Sequence, residues 1–131
     1  MTRGPAILVA ALAAAGALSA TGLSPGAASA HSLLVRSEPG RNATVTRAPE
    51  RVKLWFSERI EPAYAKLSVW SQAGKQVDAG DAAVDSNDPT LLSVSTPALG
   101  PGRYTARFRV LSVDGHVVES SFGFTVKAAA R

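Results

Sequence analysis

The chain has 131 residues, no cysteine, and 14 Lys and Arg against 10 Asp and Glu. The lack of cysteine excludes disulfide bonds, thiolate metal ligands and a cysteine nucleophile. The basic residues are scattered along the chain and are not interleaved with stacking aromatic residues, which argues against a nucleic-acid interface.

Residues 1–30 have the pattern of a secretory signal peptide. Arg3 supplies a short basic region, an uncharged apolar stretch runs to Leu18, and Ala28-Ser29-Ala30 is a small-x-small cleavage motif. A membrane anchor is the alternative, but the residues after Leu18 are rich in Ser, Thr, Gly and Pro, which favours removal of the segment. We therefore expect a periplasmic or otherwise secreted protein with no membrane span after processing.

The cleavage position decides what the mature domain begins with. A cut after Ala30 makes His31 the first residue of a domain that spans residues 31–131, whereas a cut after Ala28 leaves two residues before it. A terminal histidine offers a metal two nitrogen atoms, the α-amine and the imidazole.

The mature domain alternates apolar and polar residues with a period of two, which predicts half-buried strands. The predicted strands cover residues 33–36, 51–57, 65–69, 75–77, 91–95, 103–110 and 118–126. Asp78–Val84 is predicted to form at most a short turn, and Asp114-Gly115 is predicted to close a hairpin between the last two strands. About seven strands at short spacing indicate an antiparallel, all-β sandwich or barrel of Greek-key type.

Asp114 and His116 have a spacing that suits a metal site. Side chains two residues apart on extended backbone point to the same side, and Gly115 permits a tight bend between them. With His31 they would form a set of nitrogen and oxygen donors without sulfur, which suits Cu(II) better than Cu(I) and leaves zinc as the nearest competitor. Two alternatives remain open. One is that Asp-Gly only forms a turn, and the other is that His116, which shares its parity with Val118, is a histidine at the core edge.

Several segments of the mature domain carry a family resemblance. They are His31–Leu34, Ser37–Gly40, Leu54–Glu58, Gly102–Tyr104, Val110–His116 and Phe122–Val126. In these segments the chain resembles the CopC family of periplasmic copper-resistance proteins, and the Asp-Gly-His turn is the most specific match. The resemblance implies an immunoglobulin-like Greek-key β-sandwich. It also implies a Cu(II) site formed by His31, Asp114 and His116, with Glu58 as an accessory ligand or hydrogen-bond partner.

The middle of the chain departs from the best-known members of that family. Those members have a methionine-rich loop with an added histidine that holds Cu(I), whereas Gln72–Ser93 contains neither Met nor His. We therefore predict one Cu(II) site and no Cu(I) site. The expected protein is a monomeric, non-enzymatic copper carrier or buffer, and its expected partner is an inner-membrane copper permease of the CopD type.

Two other functions belong to different classes. An N-terminal histidine and a second histidine on copper also describe the brace of copper-dependent oxidative enzymes, but this chain is short and Trp55 and Trp70 are its only tryptophans. The other alternative is a metal-free immunoglobulin-like interaction module, in which His116 is structural and the two tryptophans supply exposed contacts.

Overall fold

A computed structural model describes Gly4 and residues 33–128. Within that part the chain forms eight strands and one short 3-10 helix, η1. In chain order they are β1 (Leu34–Glu38), β2 (Thr44–Val45), β3 (Arg51–Phe56), η1 (Pro62–Tyr64), β4 (Lys66–Ser71), β5 (Ala83–Val84), β6 (Leu91–Ser95), β7 (Gly102–Leu111) and β8 (Val117–Val126). No helix among these residues is long and apolar enough to cross a bilayer.

The strands form two four-stranded sheets. One sheet has the order β1-β3-β6-β5, and the other has the order β2-β8-β7-β4. Neighbouring strands are antiparallel, except that the two-residue strand β2 runs parallel to β8. The chain changes sheet at every connection except those between β5 and β6 and between β7 and β8. The predicted all-β, immunoglobulin-like sandwich is confirmed.

Alternation along each strand builds the core, because every second side chain points between the sheets. Val52 and Leu54 on β3 are fully buried, and so are Ala106 on β7 and Phe124 on β8. Across the two sheets, the rings of Phe56 and Phe108 meet edge to face with centroids 5.6 Å apart. In the absence of disulfides, this apolar layer holds the sheets together.

The short elements differ from the prediction. Residues 75–77 do not form a strand, and only an isolated bridge pairs Gln76 with Trp70. Conversely, the segment predicted to be at most a turn contains β5, which pairs with β6, and β2 was not predicted. A strand of two residues is too short to show an alternating pattern, and it forms because a longer strand offers it backbone hydrogen bonds.

Candidate metal centre

The hairpin between β7 and β8 places Asp114 and His116 at one end of the sandwich. The two strands pair up to Leu111 and Val117. Above that pair, the Ser112 amide donates to the His116 carbonyl at 2.9 Å, and the Gly115 amide donates to the Ser112 carbonyl at 2.9 Å. Gly115 has a φ of 94°, in the region that side-chain-bearing residues rarely adopt. The predicted hairpin is confirmed.

The loop after β3 brings Glu58 to this hairpin from the other sheet. Ile60 forms an isolated antiparallel bridge with Ser112, and the Val113 amide donates to the Arg59 carbonyl at 3.0 Å. As a result, one potential ligand atom from each of Glu58, Asp114 and His116 lies within 4.8 Å of the other two. The structure therefore brings together three of the four residues named from the sequence.

A small network of hydrogen bonds positions the hairpin residues. The buried Ser112 hydroxyl donates to Asp114 Oδ1 and accepts the His116 amide at 3.1 Å. Asp114 Oδ1 also lies 3.0 Å from His116 Nδ1. When Nδ1 donates to this carboxylate, Nε2 keeps its lone pair for another partner.

The His116 side chain is 76% exposed, so the imidazole is not part of the core. The alternative of a core-edge histidine is wrong. The hairpin bends after Leu111, and His116 precedes β8, so the inward and outward alternation of β8 does not extend to it.

The two carboxyl groups titrate differently because their partners differ. The hydroxyl of Ser112 is the main reason that the pKa of Asp114 falls to about 2, and contacts with Glu58 and His116 add to the effect. The pKa of Glu58 is raised, first by a hydrogen bond to Asp114 and then by burial and the negative charge of Asp114. Asp114 is therefore ionised at neutral pH. The protonated form of Glu58 is favoured because it can donate a hydrogen bond to the Asp114 carboxylate.

Glu58 Oε2 is shielded from solvent and has no hydrogen-bond donor in the part of the chain that the structure describes. Two neighbouring carboxyl groups need a proton or a cation between them. Metal bonds of about 2.0–2.2 Å hold donor atoms about 3–4 Å apart, so small rotations of these three side chains would bring the cluster to metal-binding distance. The donors present fit a divalent cation that accepts nitrogen and oxygen ligands.

His31 lies outside the described residues, as do the predicted signal peptide and its cleavage site. The nearest described residue, Leu33, is buried, and its carbonyl accepts a hydrogen bond from the Ser57 amide at 2.6 Å. Ser57 directly precedes Glu58 in the chain. This hydrogen bond holds Leu33 beside the segment that leads into Glu58.

Sequence reasoning found Glu58 only through the family resemblance, and it missed Ser112. Glu58 is far from the hairpin in sequence, and no local pattern marks the loop contact that joins them. Ser112 lies within the Asp-Gly-His segment, two residues before Asp114, where its hydroxyl can bond to the turn. That spacing was the one signal that could have identified it.

These observations define a class of protein: a β-sandwich with a cluster of nitrogen and oxygen donors at one end. The CopC domain family matches residues 34–127, and the chain belongs to this family. It is similar to copper resistance protein C of Xanthomonas campestris pv. juglandis, with 34% identity over 114 residues that cover 82% of this chain and 89% of the relative.

Two further comparisons extend this relationship. The crystal structure of CopC from Methylosinus trichosporium OB3b is similar with a TM-score of 0.70 and 39% identity, over 77% of this chain and 98% of that one. Copper transport protein CutJ of Bacillus subtilis (strain 168) is 28% identical over 101 residues, which are 76% of this chain but only 19% of CutJ.

Proposed function

We propose that the protein binds copper, as a single Cu(II) ion held at the end of the sandwich by His31, Asp114 and His116. The observation that carries this proposal is the convergence of Glu58, Asp114 and His116, whose ligand atoms lie within 4.8 Å of one another. The relatives named for copper resistance and copper transport support copper as the metal. Glu58 acts as an accessory ligand or as a hydrogen-bond partner of the ligands.

The chemistry of the donors supports the oxidised ion. Imidazole, amine and carboxylate groups suit Cu(II), while Cu(I) prefers thiolate and thioether ligands. The chain has no cysteine, and its single methionine is Met1, within the predicted signal peptide. We therefore propose one Cu(II) site and no Cu(I) site.

An exposed site supports a role as a copper carrier or buffer in the periplasm or cell envelope. His116 stands at the surface, where a bound ion can be transferred to a second protein without unfolding of the domain. The proposed recipient is an inner-membrane copper permease of the CopD type. The match to 19% of CutJ supports a partnership with transport machinery, because a similar domain forms part of that longer copper transport protein.

The arrangement of aromatic residues favours a carrier over an oxidative enzyme that acts on a polysaccharide. Trp55 lies on β3 and Trp70 lies on β4, so the two tryptophans belong to different sheets. Arg36 covers the ring of Trp55 at 4.5 Å, and Arg107 lies 5.1 Å from the centre of the Trp70 ring. These two rings do not combine into a flat aromatic platform for a sugar chain.

A Cu(II) competition titration against a strong chelator tests this function. The protein should be exported and processed through its own N-terminal segment, and mass spectrometry should identify its first residue. We expect one tight equivalent of Cu(II). A glycine inserted before His31 separates the amine from the imidazole, and Asp114→Asn weakens an oxygen donor. Each change should lower the affinity at least tenfold, the low end of the effect of disturbing a metal site, about 10–100-fold.

Asp85→Asn is the matched control, because it makes the same chemical change outside the proposed site. Asp85 Oδ1 accepts hydrogen bonds from the backbone amides of Asn87 and Asp88. It should leave the copper affinity unchanged. Weak binding by a protein that does begin at His31 would contradict the proposed site, and oxidation of a polysaccharide in the presence of ascorbate and oxygen would contradict the carrier role.

A further inference from the structure

The outer face of the sheet β2-β8-β7-β4 has a strong excess of positive charge. Its outward-pointing side chains on β4, β7 and β8 include four cations and a single carboxylate, Glu119. The cations, which we call the cationic face, are Lys66, Arg103, Arg107 and Arg109, and all four are exposed. Lys66 and Arg109 are directly opposite each other in the pairing of β4 with β7.

This charge is not neutralised within the described part of the protein. Arg109 is opposite Glu119 in the β7–β8 pairing, but no ion pair involves any of the four cations. Like charges directly opposite each other destabilise a sheet. The Lys66–Arg109 pairing is therefore unfavourable by itself, and the Arg109–Glu119 pairing offsets it only in part. An external anion between or above Lys66 and Arg109 would relieve the remaining repulsion.

Exposed apolar residues adjoin the cationic face at the end that carries the metal cluster. Tyr64 of η1 is 62% exposed and Val117 of β8 is 57% exposed. Both line one shallow depression together with Lys66 and Arg109. The same two cations also line a second depression with Arg107 and with Glu119, the one carboxylate of this face. Positive charge and apolar surface thus form one continuous patch.

We propose that this patch docks on the surface of an anionic phospholipid bilayer. The sheet face presents its cations to phosphate groups, which attract juxtamembrane basic residues. Tyr64 and Val117 enter the interfacial region, where tyrosine is a favoured residue and the apolar stems of Lys and Arg are also accommodated. Docking in this orientation holds the Glu58–Asp114–His116 end close to the membrane surface.

Charge complementarity together with the adjoining apolar surface favours a bilayer over a purely acidic polypeptide. An acidic chain satisfies the cations but offers nothing to Tyr64 and Val117, whereas the headgroup boundary of a bilayer accepts both kinds of group. The proposed docking needs no copper, so metal-free protein can test it. Its failure would leave the proposed copper site untouched, and the reverse also holds.

Vesicle co-sedimentation of the metal-free, processed protein tests this proposal. We expect binding to vesicles that contain about 30% phosphatidylglycerol, and no binding to pure phosphatidylcholine vesicles. Raising NaCl from about 0.05 M to about 0.5 M should release the protein, because screening shortens the reach of exposed charges. Equal binding to both kinds of vesicle would overturn the proposal.

The variant Arg107→Gln/Arg109→Gln should weaken partitioning by at least about tenfold, since each basic residue near an anionic membrane contributes about fivefold. The matched control is Arg51→Gln/Lys53→Gln, which removes the same charge from β3 in the other sheet and should bind far more tightly than the first variant. Tyr64→Ser should also reduce binding without changing the net charge, and circular dichroism should show that each variant is folded.

Equal losses in the two charge variants would mean that only net charge matters and would overturn the assignment of a face. Binding to poly-L-glutamate without binding to anionic vesicles would also overturn it, in favour of an acidic protein partner. Every variant has the same N-terminus as the parent protein, so differences among them report on the substituted face alone.

Discussion

The buried hydroxyl of Ser112 positions two side chains of the proposed metal site. It donates to Asp114 and accepts the His116 amide, and it is the main cause of the low pKa of Asp114. We expect Ser112→Ala to raise the pKa of Asp114 above its value of about 2 and to weaken Cu(II) binding by about 10-fold, as for the loss of an outer-shell partner. An NMR titration of the metal-free protein and a chelator competition measure the two effects.

Ser68→Ala provides the control for this prediction. The Ser68 hydroxyl accepts a hydrogen bond from Trp70 Nε1 at 2.8 Å on β4, away from the hairpin tip. Its removal should change neither the pKa of Asp114 nor the copper affinity. If Ser112→Ala bound copper as tightly as the parent protein, the hydroxyl would have no role in holding the ligands.

The candidate site was predictable from the sequence only where its contacts are local. Asp114 and His116 are two residues apart, and the Asp-Gly turn signal predicted both the hairpin and their proximity. Glu58 reaches them through an isolated bridge between Ile60, in the loop after β3, and Ser112, in the loop after β7. Pairing between distant segments depends on the packing of the whole sandwich, which no local pattern records.

At the scale of the elements, the hairpin tip depends on a backbone conformation that glycine adopts without strain. Gly115 has a φ of 94° and open space around its α-carbon. Gly115→Ala therefore meets no steric neighbour, but it forces an alanine into the left-handed region at a cost of roughly 1–2 kcal/mol. We expect a loss of unfolding free energy of about that size together with weaker copper binding, measured by denaturant unfolding and chelator competition.

Gly100→Ala is the matched substitution, because Gly100 also has open space and its φ lies outside the left-handed region. It should be neutral or slightly stabilising, since alanine restricts the unfolded chain more than glycine does. A Gly115→Ala protein as stable as Gly100→Ala would show that the tip relaxes to another turn, and the argument from the tip conformation would then be wrong.

Also at the scale of the elements, the sequence pattern predicts some strands and misses others. The alternation over Gly102–Leu111 and Val117–Val126 is long enough to define a buried face, and these two strands pair along their full length. β2 and β5 contain two residues each, so the backbone of a neighbouring strand determines them rather than their own side chains. Periodicity therefore predicts the strands of five or more residues, including the edge strands β1 and β4, and misses the two-residue strands.

At the scale of the whole molecule, the source of stability and the candidate metal site are spatially separate. Leu54 is fully buried between the sheets, whereas His116 is exposed at one end. Leu54→Ala should lower the free energy of unfolding by about 2–5 kcal/mol, because it removes buried apolar atoms and leaves a cavity. Leu54 is not part of the proposed metal site, so copper binding should survive the substitution.

Copper binding should therefore stabilise the parent protein and Leu54→Ala by the same amount. A ligand that binds only the folded state adds about 2.7 kcal/mol when its free concentration is 100 times its dissociation constant. Unfolding monitored with and without Cu(II), at a fixed ratio of free ion to dissociation constant, measures this increment.

His116→Ala should show little or no increment at the same copper concentration. If His116→Ala gained as much as the parent protein, the stabilising copper would be bound elsewhere. If Leu54→Ala gained much less than the parent, the core and the metal site would be coupled rather than independent.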